Sequence, residues 1–125
     1  MLFIIDGDNA PGTRTRGIEL LTEDDCVIIC SVITNKYYQS EVNMEKLRET
    51  TKAVIRCVLA PQKKQSADFL MIMKAQEAIL AGDKEIYVVS SDVHAETITE
   101  LLTQEYEIEG IHVKKSRRHL RRYFQ

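Results

Sequence analysis

The sequence predicts an α/β protein, a single three-layer domain with a mainly parallel five-stranded sheet and helices on both faces. Segments typical of strands and of helices alternate along the chain. The strand-like segments are continuous apolar runs, which is typical of parallel strands that are covered on both sides. The chain has 125 residues, of which 44% are hydrophobic and 29% are charged. This length and composition indicate one globular domain over residues 1–125.

Five apolar runs are the predicted strands. Residues 2–5 precede a turn-forming cluster at residues 6–12, and a run rich in Val and Ile begins at Cys26. Pro61 ends the third run, because proline cannot donate a backbone hydrogen bond. The predicted strands cover residues 2–5, 26–33, 53–59, 86–89 and 111–113.

Four helices are predicted between the strands, at residues 16–21, 41–52, 66–81 and 93–104. Ser40 or Asn43 can cap the second helix, and Gly82 lies where the third helix should stop. Ile98, Leu101 and Leu102 are expected to point inward from the fourth helix. The apolar stripe predicted for the third helix consists of Phe69, Ile72, Met73, Ala75, Ile79 and Leu80.

Several classes of protein are excluded by the same patterns. The apolar runs are about five residues long, whereas a membrane-spanning helix needs about 20. Asp6 follows the first apolar run at once, which does not fit a secretory signal. Cys26, Cys30 and Cys57 each lie in a predicted strand, so we expect buried, reduced thiols and a cytoplasmic protein.

Acidic residues follow three of the predicted strands. Asp6 follows the first strand, Asp68 follows the third, and Asp92 follows the fourth. In parallel sheets, ligands gather at the carboxyl ends of the strands. Clustered carboxylates repel each other unless a cation neutralises them, and oxygen ligands suit Mg²⁺ or Mn²⁺. Such an ion can activate water for phosphoester hydrolysis.

Each acid also has an ordinary structural explanation. Asp68 falls in the first turn of a helix, where a carboxylate offsets the helix dipole. Asp92 can cap the helix that follows it, and Asp6 can belong to a simple turn. We favour a metal site because all three carboxylates are expected at the same edge of the sheet.

Three motifs resemble the NYN branch of the PIN-like nuclease superfamily. The first is Ile-Ile-Asp-Gly-Asp-Asn at 4–9, the second is the Lys-containing turn and helix at 64–75, and the third is Val-Val-Ser-Ser-Asp at 88–92. The resemblance covers nearly the whole chain. It implies a PIN-like sheet and RNA cleavage with Mg²⁺ or Mn²⁺, with Asp6, Asp68 and Asp92 as the metal-binding catalytic residues. Asn9 would orient the first loop or bind a phosphate.

The chain departs from this family at the third motif. Many members continue it as Asp-x-Asp-Phe, whereas His94 and Ala95 stand here. One metal ion and two metal ions are therefore both compatible with the predicted site. Asp8 is an extra acid that could serve as a further metal ligand, and Glu96 is another possible fourth acid. The supporting residues of the predicted site are Asn9, Ser90, Ser91, His94 and Glu96.

Basic residues are concentrated at the end of an otherwise acidic chain. The net charge is −2, but residues 114–125 hold six of the 17 Lys and Arg residues and none of the 19 Asp and Glu residues. A basic tail, predicted to be helical, can contact a polyanion or can simply be solvated. The predicted RNA-binding residues are Arg14, Arg16, Lys63, Lys64, Lys114, Lys115, Arg117, Arg118, Arg121 and Arg122. Tyr37 and Tyr38 could stack on an unpaired base or belong to the core.

The predicted function is therefore that of a divalent-metal-dependent endoribonuclease, which acts on RNA in the cytoplasm and does not need a membrane. The resemblance also implies a possible homodimer, because PIN-like domains often pair. Two alternatives stay open. The first is a PIN-like module that binds RNA or protein without cleaving it. The second is a haloacid-dehalogenase-like phosphatase with Asp6 as nucleophile and Asp8 as acid. Ala10 does not fit the phosphatase motif, and the chain is short for that fold.

Overall fold

The computed structural model describes residues 1–8, 15, 17–90 and 94–114, with the side chains of Val113 and Lys114 left out. The described chain is an α/β protein with five strands, all parallel, which confirms the predicted fold class. The strands are β1 (Leu2–Asp6), β2 (Cys26–Val32), β3 (Val54–Ala60), β4 (Ile86–Val89) and β5 (Ile111–Lys114).

Three α-helices and one short 3₁₀ turn connect these strands. The 3₁₀ turn is Ile18–Leu20, and the helices are α1 (Glu41–Thr50), α2 (Ser66–Leu80) and α3 (His94–Tyr106). Ser40 caps α1, since its side chain accepts a hydrogen bond from the Asn43 backbone. Gly82 has a φ of +97° and follows the end of α2, where its N–H donates to the Ile79 carbonyl and the N–H of Asp83 donates to the Ala78 carbonyl. None of the described helices is long and apolar enough to cross a bilayer.

Helices cover both faces of the sheet, as predicted. Leu2 and Ile4 of β1 pack on the side of α2 and α3, whereas Phe3 and Ile5 pack on the side of α1. This alternation follows from the pleat of the strand, in which successive side chains point to opposite faces. Asp6 is next in the alternation after Ile5, so it belongs to the side of α2 and α3.

The predicted inward stripe of α2 is wrong at three positions. Phe69, Met73 and Leu80 are 59%, 58% and 72% exposed. Ala75 is buried as predicted. The other buried apolar side chains of the helix are mostly small, which allows it to approach the sheet closely: Ala67, Met71 and Ala78. In α3, Ile98 and Leu102 are buried as expected, but Leu101 is 56% exposed. The prediction placed large apolar side chains on the buried face, whereas the close approach of the helix to the sheet leaves room mainly for small ones.

The three cysteines are free thiols, as predicted. Cys30 is fully buried, and burial raises its pKa to about 12. Cys26 and Cys57 are only half-buried, so the expectation of full burial is wrong for these two. They lie at the start of β2 and in β3, which is an edge strand, where side chains are less completely covered.

The strand order reverses between β1 and β4. The order is β3-β2-β1-β4-β5. Strands β2 and β3 therefore lie on one side of β1, and β4 and β5 lie on the other side. The connections on the first side carry α1, and those on the second side carry α2 and α3. Open parallel sheets bind ligands at the carboxyl ends of the two strands where the order reverses. In this fold those ends are Asp6 and Val89–Ser90.

Candidate active site

Asp6 is the buried carboxylate at the end of β1, where the strand order reverses. It is 6% exposed. Its Oδ1 accepts a hydrogen bond from the Asp8 backbone at 3.1 Å, and its Oδ2 accepts one from Ser90 Oγ at 3.3 Å. The second bond joins the ends of β1 and β4, so Ser90 supports the predicted catalytic acid directly.

The pKa of Asp6 is raised above its ordinary value. Burial is the largest cause, because it removes water from the charged form, and the nearby carboxylates of Asp68 and Asp8 raise it further. The hydrogen bonds from Asp8 and Ser90 oppose this shift. A buried carboxylate that faces further negative charge is stabilised by a proton or by a cation. The donor chemistry around Asp6 therefore fits a divalent ion with oxygen ligands.

Asp68 and His94 meet where α2 and α3 begin. Asp68 lies in the first turn of α2, and His94 is the first residue of α3. Asp68 Oδ2 and His94 Nδ1 are 3.1 Å apart. The Asp68 side chain is 16% exposed and the His94 side chain 41%. Two helices that pack on one face of the sheet thus bring these two residues to its carboxyl edge.

Gln65 lies beside the other nitrogen of the His94 ring. Its Nε2 is 3.4 Å from His94 Nε2. The Asp68 carboxylate can only accept, so Nδ1 of His94 carries the hydrogen of their shared bond. Gln65 has a left-handed backbone, with φ at 60° and ψ at 16°. Such a conformation is uncommon for a residue other than glycine and often marks a functional site.

Asp8 is held by the end of β2. Its Oδ1 accepts hydrogen bonds from Ser31 Oγ at 2.7 Å, from the Val32 backbone at 3.0 Å and from Asn35 Nδ2 at 3.1 Å. Val32 also donates to Oδ2 at 3.1 Å. These bonds fasten the loop after β1 to the neighbouring strand. The role of Asp8 as a metal ligand stays a prediction.

The sequence did not single out Ser31, Asn35 or Gln65. Ser31 is fully buried and interrupts the apolar run of β2. A lone hydroxyl in such a run needs a hydrogen-bond partner, and this was a readable signal. Asn35 and Gln65 are ordinary loop residues in sequence, so only the folded backbone reveals their contacts.

Several predicted site residues lie outside the described part of the chain. These are Asn9, Arg14, Arg16, Ser91, Asp92, Lys115, Arg117, Arg118, Arg121 and Arg122. Within the described residues, no three His, Cys, Asp or Glu side chains form a group that could hold a metal ion. Asp92, the expected third ligand, is not among the side chains to which this applies.

The other predicted contacts are placed as follows. Lys63 and Lys64 are exposed in the loop before α2, and Glu96 is half-buried in the first turn of α3. Lys114, where the predicted tail begins, is the last residue of β5. Tyr38 is 2% exposed and belongs to the core, whereas Tyr37 beside it is 39% exposed. Of the two aromatic residues, only Tyr37 can offer its ring to a ligand.

Similarity to other proteins does not identify this site. No family model matches the sequence, and neither a curated protein nor a solved structure matches it. The chemistry of the site is therefore inferred from its own residues.

Proposed function

We propose that this protein is a divalent-metal-dependent endoribonuclease with a PIN-like site of the NYN type. One observation carries the proposal. The buried Asp6 carboxylate lies where the strand order reverses, and the charge of Asp68 acts on it. The resemblance of the three sequence motifs supports the same reading, because its metal-binding positions coincide with Asp6, Asp68 and Asp92.

The predicted ligands of Mg²⁺ or Mn²⁺ are Asp6, Asp68 and Asp92. When bound, such an ion neutralises charge on the scissile phosphate and activates water for in-line attack. Two of these three residues are held by neighbours in the described part of the chain. Ser90 and the Asp8 backbone orient the two oxygens of Asp6, and His94 orients Asp68. The expected products carry 5′-phosphate and 3′-hydroxyl ends.

The proposed substrate is RNA, bound through its phosphates by basic side chains. Lys63 and Lys64 are exposed immediately before α2, which carries Asp68. Phosphate contacts of this kind give affinity without sequence choice. Arg14, Arg16 and the basic residues 114–125 complete the proposed set. We place the protein in the cytoplasm, with a homodimer as a possible assembly.

Cleavage of a 5′-labelled single-stranded RNA pool tests the proposal. We expect cleavage with Mn²⁺, none with EDTA, and losses of at least about a hundredfold in Asp6→Asn, Asp68→Asn and Asp92→Asn. Asp24→Asn is the matched control, because Asp24 is exposed and precedes β2 at the opposite edge of the sheet. Its activity should equal that of the wild type.

Two results would replace this function with the alternatives. RNA binding without cleavage under both Mg²⁺ and Mn²⁺ would favour a binding module. Covalent trapping of Asp6 by beryllofluoride would favour a phosphatase, in which Asp8 acts as the acid. The four hydrogen bonds from Ser31, Val32 and Asn35 to Asp8 favour an anchoring role over that of a proton donor.

A further inference from the structure

The loop after β2, residues 33–40, is held rigidly by its own side chains. Asn35 Oδ1 accepts a hydrogen bond from the Tyr37 backbone at 3.1 Å. Gln39 Nε2 donates to the carbonyls of Ile33 and Asn35, both at 2.8 Å. Asn43 Nδ2, in α1, donates to the Tyr37 carbonyl at 2.9 Å. A loop with this many internal bonds presents its exposed side chains in a fixed arrangement, which lowers the entropic cost of binding.

The same loop is joined to the candidate site. Asn35 Nδ2 donates to the Gly7 carbonyl at 3.2 Å and to Asp8 Oδ1 at 3.1 Å. Tyr38 packs directly over Gly7, where an added Cβ would lie 3.0 Å from its Cε2. Gly7 follows Asp6 in the chain, so the loop and the predicted catalytic carboxylate share one edge of the sheet.

Tyr37 is the exposed aromatic residue of this loop. Its ring contacts that of Tyr38 in a T-shaped arrangement, with centroids 4.9 Å apart and an interplanar angle of 77°. Tyr38 is in the core, so it supports the Tyr37 ring from below. An aromatic pair of this geometry is a favourable contact. Tyr37 is therefore an ordered ring whose orientation the core controls.

The surroundings of Tyr37 suit a nucleic-acid strand. Lys36 is exposed beside it, and Ile33 is 49% exposed in the same loop. Thr34 Oγ1 is hydrogen-bonded to Gln62 Oε1, which ties the loop to the one that carries Lys63 and Lys64. An exposed aromatic ring beside a lysine, in a loop bonded to a second lysine-bearing loop, is a combination that suits single strands, because a base can stack on the ring while cations follow the backbone.

We propose that Tyr37 stacks on an unpaired base next to the candidate site and thereby selects single-stranded RNA over duplex. This inference rests on the proposed function for the identity of the polymer. The bases of a duplex are stacked on each other and cannot lie on the ring, so the selection is physical and independent of base sequence.

Equilibrium binding in EDTA tests the inference without cleavage. The probe is a labelled single-stranded RNA of about 12 nucleotides, a length within the usual range for such sites. A blunt duplex of the same sequence is the comparison. We expect Tyr37→Ala to weaken single-strand binding about tenfold and to change duplex binding less than about twofold. Tyr37→Phe keeps the ring and should bind like the wild type. Thermal unfolding verifies that each variant is folded.

The outcomes separate this inference from the proposed function. Single-strand affinity that is unchanged in Tyr37→Ala overturns the stacking role, even if the enzyme cleaves RNA. A Tyr37-dependent preference for single strands in a protein that never cleaves supports stacking and overturns the nuclease. A wild type that binds no RNA, or binds single strands and duplex equally, overturns the inference regardless of activity.

Discussion

His94 donates a hydrogen bond from Nδ1 to Asp68 Oδ2 over 3.1 Å, between residues that are 26 positions apart in the chain. In many members of the family that the sequence resembles, an acid occupies the position of His94. Here a ring nitrogen meets the Asp68 carboxylate instead, and the site has one negative charge fewer. His94 therefore fixes the orientation of the Asp68 carboxylate through its Oδ2.

The His94 contact predicts a graded effect on metal binding. His94→Ala should weaken Mn²⁺ binding about tenfold, the lower end of what loss of an orienting partner costs. His94→Asn supplies an amide N–H near the position of Nδ1 and should retain most of the affinity. Titration of Mn²⁺ followed by electron paramagnetic resonance measures both. Equal loss in the two variants would contradict an orienting hydrogen bond.

The raised pKa of Asp6 predicts that Asp6→Asn stabilises the protein at pH 7. The ionised carboxylate is disfavoured in the folded state, so removal of its charge should increase the free energy of unfolding by on the order of 1 kcal/mol. Asparagine can still accept from the Asp8 backbone and donate to Ser90. Urea unfolding at pH 7 measures the difference.

The sign of the pH dependence follows from the same shift. The cost of ionising Asp6 is complete above its raised folded pKa and vanishes below 3.8, where the carboxyl is protonated in both states. The advantage of Asp6→Asn should therefore shrink as the pH falls through that window. In addition, Mn²⁺ should raise the Tm of the wild type but not of Asp6→Asn. An advantage that stays constant down to pH 4 would argue against a burial effect.

Substitution of Asp8 tests whether its carboxylate anchors the loop after β1 or binds a metal ion. Asp8→Ala leaves the buried Ser31 hydroxyl and the Val32 N–H without their acceptor, and should cost about 2 kcal/mol of unfolding free energy. Ser31→Ala removes only one of the donors and should cost about 1 kcal/mol. Chemical denaturation measures both. Asp8→Ala with unchanged stability and no Mn²⁺ binding would establish a metal ligand instead.

Gly7 is required by the close approach of the core. An added Cβ would lie 2.7 Å from Ile29 Cγ2 and 3.0 Å from Tyr38 Cε2, both of which are buried. Gly7→Ala should therefore cost about 1–3 kcal/mol, the usual penalty for overpacking. Tyr38→Phe keeps the ring carbons, so it should not relieve the clash in the double variant. A Gly7→Ala protein as stable as the wild type would show that the β1 end can shift.

The loop lysines near Asp68 and the acids at the strand ends were visible in the sequence because they are tied to local patterns. The first apolar run ends at Asp6, and a helix begins after Gln65. Both boundaries depend on nearby residues rather than on distant parts of the chain. The buried face of α2 was harder to predict from the sequence. Apolar residues lie all around this helix, and the burial of Met71 rather than Phe69 depends on how closely the helix approaches the sheet.

The sequence by itself determined the α/β class, the approximate bounds of the five strands and three α-helices that the structure describes, and the end of β1 near Asp6, because hydrophobic periodicity and turn residues act over a few positions. The helix predicted over residues 16–21 is only a 3₁₀ turn at Ile18–Leu20. The tertiary structure alone decided the strand order, the bond from Ser90 to Asp6 and the pairing of His94 with Asp68. These contacts join segments that are distant in the chain. Local patterns do not specify which strands become neighbours in the sheet. That choice depends on tertiary packing, such as the packing of α2 and α3 on the same face.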